Sequence, residues 1–175
     1  MNIVMLGLIC FLTNGGFHEE NFLGSNLERA AFSTIIRESN DYTVVLLDAN
    51  GDSLAENRAT IGAFAGCLPR TMKHLLKIFP LESWMQGDVV ISNDPWIGTG
   101  HRPDVTVVAP IFYGTTIIGF TGNTGHWADI GGAIFSADTK SVFEEGIGLP
   151  PMKSKPGIRR YVGSVPEPCS LQSRS

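Results

Sequence analysis

The sequence predicts an α+β fold: a mixed, mainly antiparallel sheet built from hairpins, packed with two or more helices. Three observations carry it. β-Branched apolar runs are separated by the turn signals Asn50-Gly51 and Tyr113-Gly114, the pattern of antiparallel hairpins. Two stretches instead place apolar residues three and four apart, the period of a helix packed on one side. Glycine- and proline-containing loops punctuate the runs, with no long uniform segment that would make a coiled coil or a repeat array.

The elements follow in order. Ser25 with Glu28 forms a capping box, and Leu27, Ala30, Ala31, Thr34 and Ile35 share one face, so a helix is expected over 26–38. Tyr42 to Asp48 reads as a buried strand, and Asn50-Gly51 turns it into a second arm over 53–57. A second helix is expected over 69–79, where Pro69 suits the first turn and Met72, Leu75, Leu76 and Phe79 form one stripe. His74 falls off that stripe and reads as a solvated helix residue. Asp88 to Ser92 is a strand, Asn93-Asp94-Pro95 a turn, and Val105 to Phe112 and Thr115 to Gly122 are two arms of a hairpin about Tyr113-Gly114. A loop over 123–139 then carries His126, Asp129 and the Gly131-Gly132 pair. After Pro150 the chain turns rich in Pro, Ser and basic residues and is expected to fray.

Composition narrows the class. The chain has 175 residues, 43% hydrophobic and 17% charged, an ordinary globular balance for one domain or a piece of a larger one. A net charge of −4 and a pI near 5.5 provide no basic stripe for phosphates, which argues against nucleic acid as a partner. Cys10, Cys67 and Cys169 are odd in number and form no CxxC pair, so neither a disulfide framework nor a zinc knuckle is indicated. The apolar run 1–12 lacks a basic n-region and falls short of the ~20 residues of a membrane span. The expected compartment is the cytoplasm, with no membrane partner.

The chemistry lies near the second hairpin. With Tyr113-Gly114 as a two-residue turn, Asp104 is expected opposite Asn123 and His101 opposite His126, and directly opposed residues bring their Cβ atoms to roughly 5 Å. In an unbroken strand His101 and Asp104 would point to opposite faces. Pro103 permits the segment before Val105 to curl, so that both reach inward. Two imidazoles and one carboxylate make the three-ligand open pattern of a catalytic divalent metal, with zinc, manganese or iron all acceptable. Asp129, three residues past His126, is expected to support the metal or to act as a base. On spacing alone the alternative stays open that both histidines cap loop backbones.

Other motifs fail. Gly98-Thr99-Gly100 lacks the third glycine and the helix of a dinucleotide fingerprint, and neither a P-loop nor a G-x-S-x-G elbow occurs. ATP binding by this chain itself is therefore not indicated.

Several runs in order resemble one family. Gly87-Asp88-Val89-Val90-Ile91-Ser92-Asn93-Asp94-Pro95, Gly100-His101-Arg102-Pro103-Asp104-Val105-Thr106-Val107-Val108, His126-Trp127-Ala128-Asp129-Ile130-Gly131-Gly132, and Phe143-Glu144-Glu145-Gly146 with Pro150-Pro151-Met152-Lys153 are similar to the hydantoinase B/oxoprolinase motifs. The likeness spans 25–157; segment 1–24 is unmatched and 158–175 is expected to be a disordered tail. Family subunits are much longer, so the chain looks like an incomplete family domain.

The resemblance implies a metal-dependent subunit of an ATP-dependent cyclic-amide hydrolase of hydantoinase or 5-oxoprolinase type. A hydantoinase A-like partner would bind ATP and activate a small-molecule substrate. The family's metal ligands fall on His101, Asp104 and His126. Alternatives are a subunit of an ATP-dependent ketone carboxylase, or an inactive truncated product. Trp127 and Arg102 stand where the family usually has histidine and leucine.

Overall fold

The computed structural model describes residues 34–57, 60–133 and 136–154. Helix α1 is Thr34–Ser39, strand β1 Tyr42–Asp48, β2 Ser53–Glu56, helix α2 Cys67–Ile78, β3 Val89–Ser92, β4 Asp104–Tyr113, β5 Thr116–His126 and β6 Met152–Ser154. Three short 3-10 turns, Gly62–Phe64, Leu81–Ser83 and Val142–Glu145, lie between them. The six strands form one sheet in the order β2-β1-β5-β4-β3-β6, and every pairing is antiparallel. The α+β class read from the sequence is the class observed. The start of the helix expected over 26–38, the run 1–12 and the tail 158–175 lie outside the described residues.

The core forms where α2 crosses one face of the sheet. Half of the stripe read from the sequence is buried: Met72 and Leu75, joined by Leu68 from the turn before, meet Val45, Leu47, Val90, Val108 and Phe120, with Trp84 closing the end, while Leu76 and Phe79 are only partly buried at its margin. Trp84 meets Phe120 edge-on, ring centroids 5.1 Å apart, the geometry that aromatic quadrupoles favour. Gly122 permits the close approach, since a Cβ there would lie 2.5 Å from Leu68 Cδ2. The helix begins two residues before Pro69, after Gly66 at φ +71, so the proline occupies the third helical position, where no intrahelical donor is yet required.

Three expectations are corrected. The β4–β5 hairpin turns about Gly114-Thr115, since Tyr113 pairs with Thr116, and a bulge between Ile111 and Phe112 shifts the register once more. Asp104 consequently faces His126, and Asn123 faces Val107. The reason is local: Gly114 takes φ +61, which makes it a turn centre and leaves Tyr113 in the strand. Second, His126 ends β5 rather than sitting in a loop over 123–139. Third, the stretch after Pro150 does not fray at once. Met152–Ser154 adds the edge strand β6 along β3, and Lys153 fixes it through an ion pair to buried Asp88 at 3.2 Å and cation–π contacts with Trp84 and Phe79.

Candidate metal centre

The site is the polar end of a gradient written across three strands. On β4, β5 and β1 the positions that face α2 run from Val108, Gly122 and Val45 to Thr106, Thr124 and Thr43, and then to Asp104, His126 and Asp41, the residue just before β1, whose backbone O accepts from His126 N–H. Each set sits at one level of the sheet, because residues two apart share a face. The threonine row is buried, and Thr106 and Thr124 share a hydrogen bond of 2.8 Å. Beyond it the ladder ends and ionisable groups converge.

Asp104, only 7% exposed, is the centre of the group. Its Oδ2 lies 2.9 Å from His101 Nε2, and its Oδ1 lies 3.2 Å from His126 Nδ1. The two imidazole centroids are 5.4 Å apart. One ligand atom from each of His101, Asp104 and His126 can be chosen so that all three fall within 4.8 Å of one another. His126 is fully buried; His101 is half-buried. The cross-strand pairing expected of His101 with His126 is thus replaced by Asp104 with His126, while the convergence of the three side chains stands.

The curl before β4 is what brings His101 in. Arg102 and Pro103 form a turn, and Trp127 N–H donates to Pro103 O at 2.8 Å, which ties that turn to the end of β5. Asn93 holds the loop from behind: its Nδ2 donates to Arg102 O and Ile147 O, at 2.8 and 2.9 Å, and it is buried. The Asn93-Asp94-Pro95 turn therefore serves as a strut for the site. From the helix side, Thr71 Oγ1 donates to Ile97 O at 2.7 Å and Arg70 to Gly98 O, anchoring the segment that leads into His101.

Asp41 is the residue that sequence reasoning missed. Its Oδ2 lies 3.5 Å from His126 Nδ1, and its backbone O accepts from His126 N–H at 3.1 Å. Asn40 precedes it at φ +52, a left-handed conformation that Asn tolerates, and turns the chain from α1 into β1. Burial raises the Asp41 pKa, and the Asp104 carboxylate beside it raises it further. The hydrogen bond to Asp104 holds the His101 imidazole above its ordinary value, against a smaller opposing effect of burial. Asp129 is placed differently: it is exposed, and its Oδ1 accepts from Gly131 N–H at 2.8 Å, which shapes the turn into Gly131-Gly132.

A cleft of about 420 Å³ opens beside His101, walled by Pro103 on one side and by the 136–145 segment on the other. That far wall is fastened to the loop that carries His101. Arg102 N–H donates to Glu145 Oε2 at 2.8 Å, its guanidinium donates to Gly146 O at 2.6 Å, and it lies over the Phe143 ring at 5.0 Å. A Cβ at Gly132 would overlap the Glu145–Gly146 peptide, so glycine is needed where these two loops touch.

An open antiparallel sheet with a His-Asp-His cluster at one edge of its core defines the class by geometry, and sequence comparison supplies the family. The hydantoinase B/oxoprolinase profile matches residues 20–157; the chain belongs to that family. A Pseudomonas sp. (strain NS671) protein, provisionally named as the B-type component of a D-/L-hydantoinase, is 34% identical over 151 residues, covering 82% of this chain and 26% of that protein. The 5-oxoprolinase of Dictyostelium discoideum is 32% identical, covering 75% of this chain and 10% of its own length. Among solved structures, the ATP-dependent caprolactamase from Pseudomonas jessenii superposes with a TM-score of 0.69 at 25% identity, over 87% of this chain and 26% of that one. An acetone carboxylase, described as ATP-dependent, gives 0.64 at 23% identity, over 86% and 20%. The chain thus spans about a quarter or less of the length of these relatives. Among the described residues no helix is long and apolar enough to cross a membrane.

Proposed function

We propose that this chain supplies the metal-holding part of an ATP-dependent cyclic-amide hydrolase, with His101, Asp104 and His126 as ligands and Asp41 steadying His126 from outside the set. One observation carries the reading: a buried carboxylate turns one oxygen to each of two imidazoles, with ligand atoms within 4.8 Å. Two imidazoles and one carboxylate suit zinc, manganese or iron, and the Asp41 carboxylate behind His126 adds negative charge that favours a divalent ion. When bound, such an ion polarises a carbonyl or lowers the pKa of a water.

The chain's own groups then divide the work. Asp104 and Asp41 orient the His126 ring from one side of the sheet, and His101 borders the cleft through which a small molecule would reach the cluster. Asp129, exposed and engaged through one oxygen only among the described residues, is the proposed general base. ATP enters through a hydantoinase A-like partner, since no phosphate-binding loop occurs in this sequence, and the proposed compartment is the cytoplasm. The lactam substrate named for the caprolactamase and the oxoprolinase name favour a cyclic amide. The acetone carboxylase likeness, at 23% identity, speaks for the shared fold alone.

The test is reconstitution with an ATP-binding partner subunit and 5-oxoproline or a hydantoin. Ring opening that needs ATP and this chain, and that proceeds without bicarbonate, supports the reading. Turnover that requires bicarbonate and a ketone would replace it with carboxylation.

A further inference from the structure

The cleft beside His101 has a size suited to a small molecule, and its far wall is rich in hydrogen-bond donors. Lys140 lines it and is exposed, with no ion pair or hydrogen bond among the described residues. Ser136 and Ser141 line it as well. Each serine oxygen already accepts a backbone N–H, from Asp138 at 3.2 Å and from Phe143 at 3.3 Å. A hydroxyl whose oxygen is occupied in this way keeps its proton to donate outward. The acidic group on the same wall, Glu145, has an oxygen taken up by Arg102 N–H at 2.8 Å. The wall thus offers an ammonium and two hydroxyl protons to whatever enters.

We infer that Lys140, Ser136 and Ser141 form a subsite for an oxyanion group of the substrate, a carboxylate or a phosphoryl. The subsite lies across the cleft from His101, so that the anion fixes one end of the molecule while the other reaches the His-Asp cluster. Charge-assisted hydrogen bonds to an oxyanion are about twice as strong as neutral ones. A short, fixed distance between anion grip and reacting centre would make Lys140 a specificity-determining residue. The placement of the reacting end rests on the metal reading; the anion grip does not.

Calorimetric titration of the metal-free full chain with inorganic phosphate and, separately, with acetate tests it. The unaltered chain is expected to bind at least one of them, and whichever binds tighter names the group. Lys140→Ala should weaken that binding about tenfold, Lys140→Arg should largely restore it, and Lys73→Ala, which removes an exposed lysine paired with Asp52, should leave it unchanged. Binding of neither anion, or equal affinity in Lys140→Ala, overturns the inference. A parallel Mn2+ titration separates the two readings: anion binding without metal binding defeats the metal reading alone, and metal binding without anion binding defeats this one alone.

Discussion

His101, Asp104, His126 and Asp41 act as one electrostatic unit, and each can be removed singly. Asp104→Asn takes away the carboxylate that touches both imidazoles. Loss of an outer-shell partner costs metal affinity roughly 10–100-fold, so loss of this central ligand should cost at least the upper end, read by competition with a chelating dye. Asp41→Ala should fall within that range. The metal-free chain has its own pH signature. His101 is raised in the folded state above the unfolded imidazole value of about 6.5. Its pairing with Asp104 therefore stabilises fully below that value and is lost as pH rises through the raised folded pKa. Asp41, also raised by burial and by Asp104, contributes a separate decline that sets in from its unfolded value of 3.8 as pH rises. The His101 share of the loss of thermal stability without metal should therefore set in from about pH 6.5 upward, and His101→Ala should flatten the decline in that range. Metal affinity should move the opposite way, because ligation needs the imidazoles unprotonated.

At the scale of elements, strands and the main helix were legible because their signals are local: β-branched runs, Asn50-Gly51, and the Met72–Phe79 stripe. Register was not. It depended on which residue took the turn and on a bulge at Ile111/Phe112, neither of which alters the hydrophobic pattern. Asp41 was missed for a related reason, since it reaches the site through the non-local pairing of β1 with β5. A signal was nonetheless present. Reading alternate residues gives Asp41, Thr43, Val45 on one strand, Asp104, Thr106, Val108 on another, and His126, Thr124, Gly122 on the third, the same polar-to-apolar order each time. β6 escaped because three residues are too few to show alternation, and its hold comes from Lys153 contacts. Gly122→Ala tests the close helix–sheet approach: forcing a Cβ against Leu68 should cost about 1–3 kcal/mol, seen as a lower denaturant midpoint with unchanged slope.

For the molecule as a whole, the chain presents between 10% and 26% of these relatives' length together with exposed apolar groups. Trp96, Tyr113 and Phe143 are 83%, 80% and 75% exposed. Among the described residues β2 and β6 are the edges of the sheet, and Leu54 stands exposed on β2. Unpaired edges invite strand addition. Isolated chain should therefore associate with rising concentration in sedimentation velocity, and Leu54→Lys should reduce that association several-fold without altering the circular dichroism spectrum. A monodisperse wild-type chain at all concentrations would contradict it.

Metal content after loading and exhaustive dialysis tests the central claim most directly. The unaltered chain should retain one equivalent of a divalent ion, and His126→Ala, folded by circular dichroism, should retain none. Full metal content in His126→Ala would contradict the assignment of this cluster.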